Sequence, residues 1–448
     1  MKNRLTLFLY IISPLCFFAC SKSSNNNTHI NSPIDSVKLL TGWWMPVNYS
    51  VQGKLYFGAD DFFYNDTIQK KKQYAGFWKL KNGIIKCSST VGGATDLSFK
   101  ISELSTGKLK LSITGVGVIQ TFNKKTEAAI TSPPIISIAG TGVKGSSGDG
   151  GLATTATITG GAGITADKNG NIYFAEVTGS IRKIAKADGI ISTIPRTTYS
   201  FAVTTDKNAV VYYSDYYRVY RISPFDGYAT AIAGKTASPG FDGDTPRPAA
   251  GAALNGVNGL AIANNGDVFI NDSHNSRIRK ISAATKLIST VAIIPANSLG
   301  NDKDAYGIAL DAAGNIYFNN FRTVYMIPAN TSNLVAIAGK SYTNPKDYKA
   351  GDGEPATQAM FKTLSDIAVS AKGDIFVADQ ADHTVRKIDG ATKIISKIAG
   401  TGYPGNTNEG IHAIAYSLNA PIGLATNTTG DVVYIMDLSA RIHKVPVN

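Results

Sequence analysis

GDIFVADQADHTVRKI, residues 373–388, and GDVFINDSHNSRIRKI, residues 266–281, are one phrase written twice. Each opens on a Gly-Asp turn, alternates weakly between apolar and polar positions, turns polar in its middle and closes on a basic-apolar run. That pattern predicts two strands joined by a polar turn. Working outward, the plan recurs in six segments. They are GITADKNGNIYFAEVTGSIRKI from 163, FAVTTDKNAVVYYSDYYRVYRI from 201 and GLAIANNGDVFINDSHNSRIRKI from 259. GIALDAAGNIYFNNFRTVYMI from 307, DIAVSAKGDIFVADQADHTVRKI from 366 and GLATNTTGDVVYIMDLSARIHKV from 423 complete the set. A fourth apolar run, such as IISTI or IISKIAG, follows each of the first five. Six turn positions mark the repeat: Gly170, Asn208, Gly266, Gly314, Gly373 and Gly430. Four strands at a period near fifty residues describe a β-propeller blade.

The sixth segment stops after three strands, at HKVPVN. Its missing fourth strand stands ahead of the first blade, as IISIAG at 135–140. Pairing the two ends closes the ring and removes the free edges of an open array. The expected fold is therefore an all-β, six-bladed propeller over 133–448, closed by an N-terminal strand. AGTGVKGSSGDGGLATTATI, GNIYFAE and IRKI resemble the NHL repeat; the second and fourth blades lack IRKI and are rich in tyrosine.

Upstream the composition changes. Lys2 and Arg4 precede the apolar run LTLFLYIISPLCFFA, which is short and interrupted by Pro14, and so reads as a targeting segment rather than a membrane span. It ends in FFAC. This resembles the lipobox of bacterial lipoproteins, with Phe17 in place of the usual leucine. The resemblance implies removal of residues 1–19 and lipidation of Cys20, on an outer-membrane lipoprotein of the cell envelope. Several acyl chains would make a durable anchor. Residues 20–35, including SKSSNNNTHINSP, read as a flexible tether. From 36 to 127, LYFGADDFFYND, AGFWKLKNGIIKCSS, LSFKISELS and KLKLSITG alternate as short strands. All three tryptophans (Trp43, Trp44, Trp78) lie there. GWW fits the G-x-W of a first lipocalin strand, and the block resembles the small lipocalin-like domains of Bacteroidetes lipoproteins, implying a β-barrel.

Net charge is +12. Residues 20–132 carry 14 Lys+Arg against 7 Asp+Glu, and residues 133–448 carry 28 against 25. The excess includes Lys70, Lys71 and Lys72, which could rest on anionic lipid headgroups or form a solvated edge. A nucleic-acid partner is not expected of an exported chain. Once the leader and Cys20 are set aside, only Cys87 remains, so no intramolecular disulfide and no zinc spacing are available.

Strand direction alternates within a blade, so the second-to-third turns and the inter-blade linkers share one rim. Function is expected on that face. Binding candidates are Tyr216 and Tyr217, which could stack on sugar rings or a protein, and the polar turns holding Asp272, His274, Asn275, Asp379 and His383. Asp272, Asp379 and Asp437, with Glu176 and Asp215, end second strands and are expected to cap the following turn. Arg182, Arg279 and Arg386 recur at one register and suggest a bridge between blades. Asp149, Asp242, Asp244 and Asp352 sit in Gly-rich loops but lack the D-x-D-x-D-G spacing of a calcium loop. The sequence contains no G-x-S-x-G, no H-E-x-x-H and no Cys–His pattern, and calls for no catalytic residue, metal or cofactor. The expectation is a membrane-tethered, non-enzymatic protein contacting a glycan or protein partner. The alternative is a metal-dependent propeller hydrolase or lyase with its ion in the central channel, for which the inner strands offer only Asn258 and Asp366.

Overall fold

The computed structural model describes residues 133–447 apart from 162, 177–178, 196, 198, 236–238, 296–306, 343 and 406–411, with the backbone of eight strands between 42 and 124. The leader, Cys20, the tether and the side chains of the 36–127 block lie outside the described residues. The chain divides into two compact units, Met1–Thr131 and Ser132–Asn448. In the first, strands Gly42–Pro46, Lys54–Phe57, Phe62–Thr67, Lys72–Lys81, Ile84–Ser89, Leu97–Leu104, Lys108–Ile113 and Ile119–Lys124 pair in chain order. The last returns to the first, with Trp44 opposite Lys124, and the sheet closes as a barrel.

The second unit is a six-bladed propeller. Its innermost strands are Ile164–Ala166, Val203–Thr205, Val257–Ile262, Ile308–Leu310, Leu364–Val369 and Pro421–Thr426, one from each of blades 1 to 6. Each starts an antiparallel sheet of four strands in chain order, except that the third blade carries a fifth, outer strand and the sixth draws its last strand from elsewhere. In the sixth, Pro421–Thr426, Val432–Asp437 and Arg441–Pro446 are followed by Ile136–Ala139, with His443 opposite Ser137. The ring closes where the incomplete last repeat requires it.

Each blade is covered on both faces by its neighbours, which explains the weak alternation of the repeated phrase. Second strands such as Ile375–Asp379 and Val268–Asp272 are buried at every position. The cores lie between blades. Val210, Tyr212 and Val219 of blade 2 meet Leu260, Ile270 and Ile281 of blade 3, and each such side chain contributes about 1.5–3 kcal/mol. At the seam, Ile138 and Ala139 pack with Ile164, Phe174, Tyr434 and Met436.

The first-to-second turns need a left-handed residue, supplied by Gly170, Gly266, Gly314, Gly373 and Gly430 (φ +71° to +89°). In blade 2 that conformation falls on Ala209 (φ +64°), one residue beyond the expected Asn208. Blade 3 also gains an unexpected outer strand, Arg247–Pro248, paired with Leu287–Ile293.

Candidate functional site

The long linkers do less at the rim than their length suggested. Their first halves run along the outer edge of the following blade. Gly150 N donates to Ile191 O and Ile191 N to Gly151 O; Gly353 and Glu354 bond Ile395 in the same way. An outer strand edge is an exposed template for pairing, and the linker occupies it. Only the return segments reach the rim.

The recurrent charges hold these linkers down, which corrects two expectations. Arg182, Arg279 and Arg386 are fully buried. Arg182 Nη2 donates to Ser147 O (3.1 Å) and Asp149 (2.8 Å). Arg386 donates to Asp352 (3.1 Å), Ala350 O (2.6 Å) and Met360 O (3.3 Å). Arg279 reaches Gly243 O (3.3 Å) and pairs with Asp272 (3.4 Å). Each guanidinium thus ties the linker that crosses its own blade, not a strand of the next blade. The Gly-rich-loop carboxylates are the counterions: Asp149 and Asp352 as above, Asp242 beside Arg247 (3.5 Å) and Asp244 beside Arg277 (3.0 Å).

The second-strand acids face backwards as well as forwards. Asp272 accepts from Asn255 N (2.7 Å), Asp379 from Lys362 N and Thr363 N (3.0 Å each), Asp437 from Asn419 N (2.9 Å) and Glu176 from Thr159 N (3.2 Å). In each case the donor lies on the return segment entering that blade's inner strand. Asp215, by contrast, caps its own turn through Tyr217 N and Arg218 N. Burial pushes Asp272 and Asp379 up to about 6 against these hydrogen bonds. Both are wholly inaccessible, so the expectation that they contact a ligand is wrong. Asn275 is also committed, donating to Gly240 O (2.7 Å) and Asp272 (2.9 Å). His383 accepts from Ala420 N at Nδ1 (3.0 Å). At two other joints a turn carbonyl takes that bond, with Val257 N to Tyr216 O and Leu364 N to Phe321 O. His383 is therefore a stitch between blades 5 and 6.

Tyr216, Tyr217 and His274 remain, and the fold brings them together with a residue the sequence did not mark. Phe201, at the start of the inner strand of blade 2, packs 5.1 Å from Tyr216. Tyr216 meets Tyr217 edge-on at 5.1 Å and His274 edge-on at 5.3 Å. Its hydroxyl lies 3.0 Å from His274 Nδ1. Tyr216 adopts φ +85°, outside the comfortable range for a side-chain-bearing residue. A Cβ on Gly256 (φ +72°) would come within 2.8 Å of Ser273 Oγ and 3.0 Å of the His274 ring, so glycine gives this turn room. The cluster spans the joint of blades 2 and 3. The other three tyrosines of this stretch divide differently: Tyr212 and Tyr213 are buried, and Tyr213 stacks on Tyr220 at 4.7 Å.

Beside the cluster opens the central channel, a cavity of about 250 Å³ walled by all six inner strands. Among the described residues of its lining, Asp366 is the one ionisable side chain and Asn258 the one amide. Asp366 accepts from Leu424 N (2.7 Å) and Ile367 N (2.8 Å), and burial raises it to about 7. Gly307 must lack a side chain there, since a Cβ would meet Asp366 Oδ1 at 2.5 Å. Among the described residues no three His, Cys, Asp or Glu side chains converge as a metal site.

Sequence reasoning missed one constellation. Ser137 Oγ lies 3.0 Å from His443 Nδ1, and His443 Nε2 lies 3.4 Å from Asp437 Oδ2. The residue types are those of a hydrolytic triad, but all three are buried. A nucleophile must meet its substrate, so this is a polar clasp across the ring's seam. The register of IISIAG against RIHKV would have placed Ser137 opposite His443.

No protein-family model matches this chain, and no curated protein does. Solved structures match over most of their length. A structural genomics protein of unknown function from Bacteroides thetaiotaomicron is 17% identical, with 82% of this chain and 94% of that chain covered and a TM-score of 0.57. Two structures titled auxiliary nutrient binding protein are each 14% identical, with 86% of this chain and 93% of theirs covered. That from B. thetaiotaomicron has a TM-score of 0.54 and that from Bacteroides ovatus 0.56. The chain is thus an all-β protein with a six-bladed propeller whose fold recurs in Bacteroides proteins.

Proposed function

We propose that this is a membrane-tethered, non-enzymatic binding lipoprotein, whose propeller contacts a glycan or protein partner through the rim that carries the second-to-third turns. The observation that supports it is asymmetry. One rim carries the aromatic cluster of Phe201, Tyr216, Tyr217 and His274 beside the channel mouth, whereas the other carries short turns such as Asp167–Asn171. Ligand sites combine apolar rings with a few placed polar groups. In this reading Cys20 carries the lipid anchor, residues 20–35 are the tether, the barrel is lipocalin-like and the blades are NHL-type. Two Bacteroides neighbours, each described as an auxiliary nutrient binding protein, agree with a binding role.

The test uses the full chain against a glycan array and an envelope-protein pull-down, before and after one rim is blocked. A bulky maleimide on Leu438→Cys, in the second-to-third turn of blade 6, should abolish capture. The same adduct on Lys207→Cys, in a turn of the opposite rim, should leave it intact. Equal capture by both would refute the choice of face. Cys20→Ala should move the protein from the membrane to the soluble fraction.

A further inference from the structure

The blade 2–blade 3 cluster says more about what it binds. Tyr199 is 73% exposed and Phe201 38% exposed. His274 is exposed, and Tyr216 and Tyr217 are half-buried. The ring centroids step by 5.1, 5.1 and 5.3 Å from Phe201 through Tyr216 to Tyr217 and His274. The rings meet at 57°, 89° and 78°, so the platform offers separate ring faces at an angle rather than one flat surface, with the reach of one or two six-membered rings. A stable protein interface requires about 800 Å² from each partner, far more than these few part-buried rings can offer.

Charge narrows the class. Asp215 is consumed by Arg218 and by the Tyr220 hydroxyl (2.8 Å). Asp272 is sealed beneath the turn by Asn275 and Arg279, and Arg277 pairs with Asp244 while lying over Phe241. Among the described residues, these charges are matched in pairs, which favours a ligand without net charge. What the surface presents is aromatic faces with polar edges, which suits a ligand having one apolar face and a hydroxylated rim. Asn258, whose amide donates to Ser273 Oγ (2.9 Å), and the channel mouth adjoin it.

We infer that Phe201, Tyr217 and Tyr199 form a stacking subsite for a neutral sugar ring, with Tyr216 held in place by His274 as a positioning residue. The inference rests on the proposed rim as the binding face and names its ligand class.

The full chain would be titrated calorimetrically with neutral β-glucan, α-glucan, mannan, xylan and fructan oligosaccharides, and with oligogalacturonate as the charged control. At least one neutral sugar should bind. Phe201→Ala/Tyr217→Ala should weaken it tenfold or more, and the fully surface-borne Tyr199→Ala at least threefold with an unchanged melting temperature. Phe225→Ala, 97% exposed in a turn of the opposite rim, should have no effect. His274→Ala should reduce affinity, and His274→Gln should restore part of it. Binding of the charged control alone, binding untouched by the platform variants, or no sugar binding at all each overturns the inference. In the first two cases, loss of capture on blocking Leu438→Cys still upholds the rim; in the third, the pull-down judges the rim independently.

Discussion

Ala209 stands where five sister turns carry glycine, and its left-handed backbone costs energy that a glycine would not. Ala209→Gly should raise stability by about 1 kcal/mol, read as a higher urea midpoint with unchanged slope. Arg386 lies at the other extreme, buried with its fork on Asp352 and two carbonyls. Arg386→Ala should cost about 2–4 kcal/mol, because it leaves the Ala350 and Met360 carbonyls without their donor and frees the linker, while the solvent-facing Asp352 is rehydrated. His383 supplies a pH signature. Burial, then the Lys362 charge, hold it below its ordinary range, with Asp382 opposing. Its neutral ring accepts from Ala420 N. A folded value below the unfolded one means that its contribution is complete above about pH 6.5 and fades as pH falls through the folded value. His383→Gln should therefore cost about 1 kcal/mol at about pH 8, and the difference from the parent should shrink by about pH 5, followed by thermal melts. The recurrence of arginine and aspartate at fixed registers was legible in the sequence. Their direction was not, because Asp272 and Asp379 find their donors seventeen residues upstream, on linkers with no periodicity.

Among elements, the seam between Arg441–Pro446 and Ile136–Ala139 joins strands from the two ends of the propeller. Ordinary blades hold their fourth strand by a covalent turn; this one holds it by pairing, apolar packing and the Ser137–His443–Asp437 clasp. Burial alone would raise Asp437, but the His443 charge and hydrogen bonds from Ser439 and Asn419 N together hold it below the ordinary carboxylate range. A depressed carboxylate stabilises above its unfolded value and ceases to do so as pH falls through its folded value. The seam should loosen in acid before the other blades do. Hydrogen exchange at about pH 3 should show Ile136–Ala139 losing protection ahead of the fourth strand of blade 5, Ile395–Ala399. Asp437→Asn should remove that difference, and simultaneous loss at both strands would contradict it. Strands and their count were readable from four-run periodicity. The edge-covering linker segments were not, since glycine-rich stretches such as GSSGDGG pair through backbone alone and leave no side-chain pattern.

At the scale of the molecule, closure decides whether the blades form one cooperative body. Each innermost strand packs against two neighbouring blades, so an open ring would expose the facing surfaces of two blades and the free edge of Arg441–Pro446. Ile135, Ile136, Ile138 and Ala139 are at most 3% exposed. Inserting a charge there loses about 2–3 kcal/mol of apolar burial, adds the cost of an unpaired buried carboxylate, and removes the seam's core. Those losses are comparable with the whole stability of a domain, about 5–15 kcal/mol. Ile138→Asp in the full chain should therefore abolish cooperative unfolding of the propeller and expose an edge that pairs with a second molecule. Light scattering after chromatography should show dimers or larger species. Val335→Asp is the matched control, because Val335 occupies an outer strand in blade 4 but is 42% exposed. It should stay monomeric to the extent the parent does, with a melting temperature within a few degrees, corresponding to about 0.5 kcal/mol. If Ile138→Asp melts as sharply as Val335→Asp, the blades hold together without the borrowed strand, and the seam is an ornament of the ring rather than its clasp.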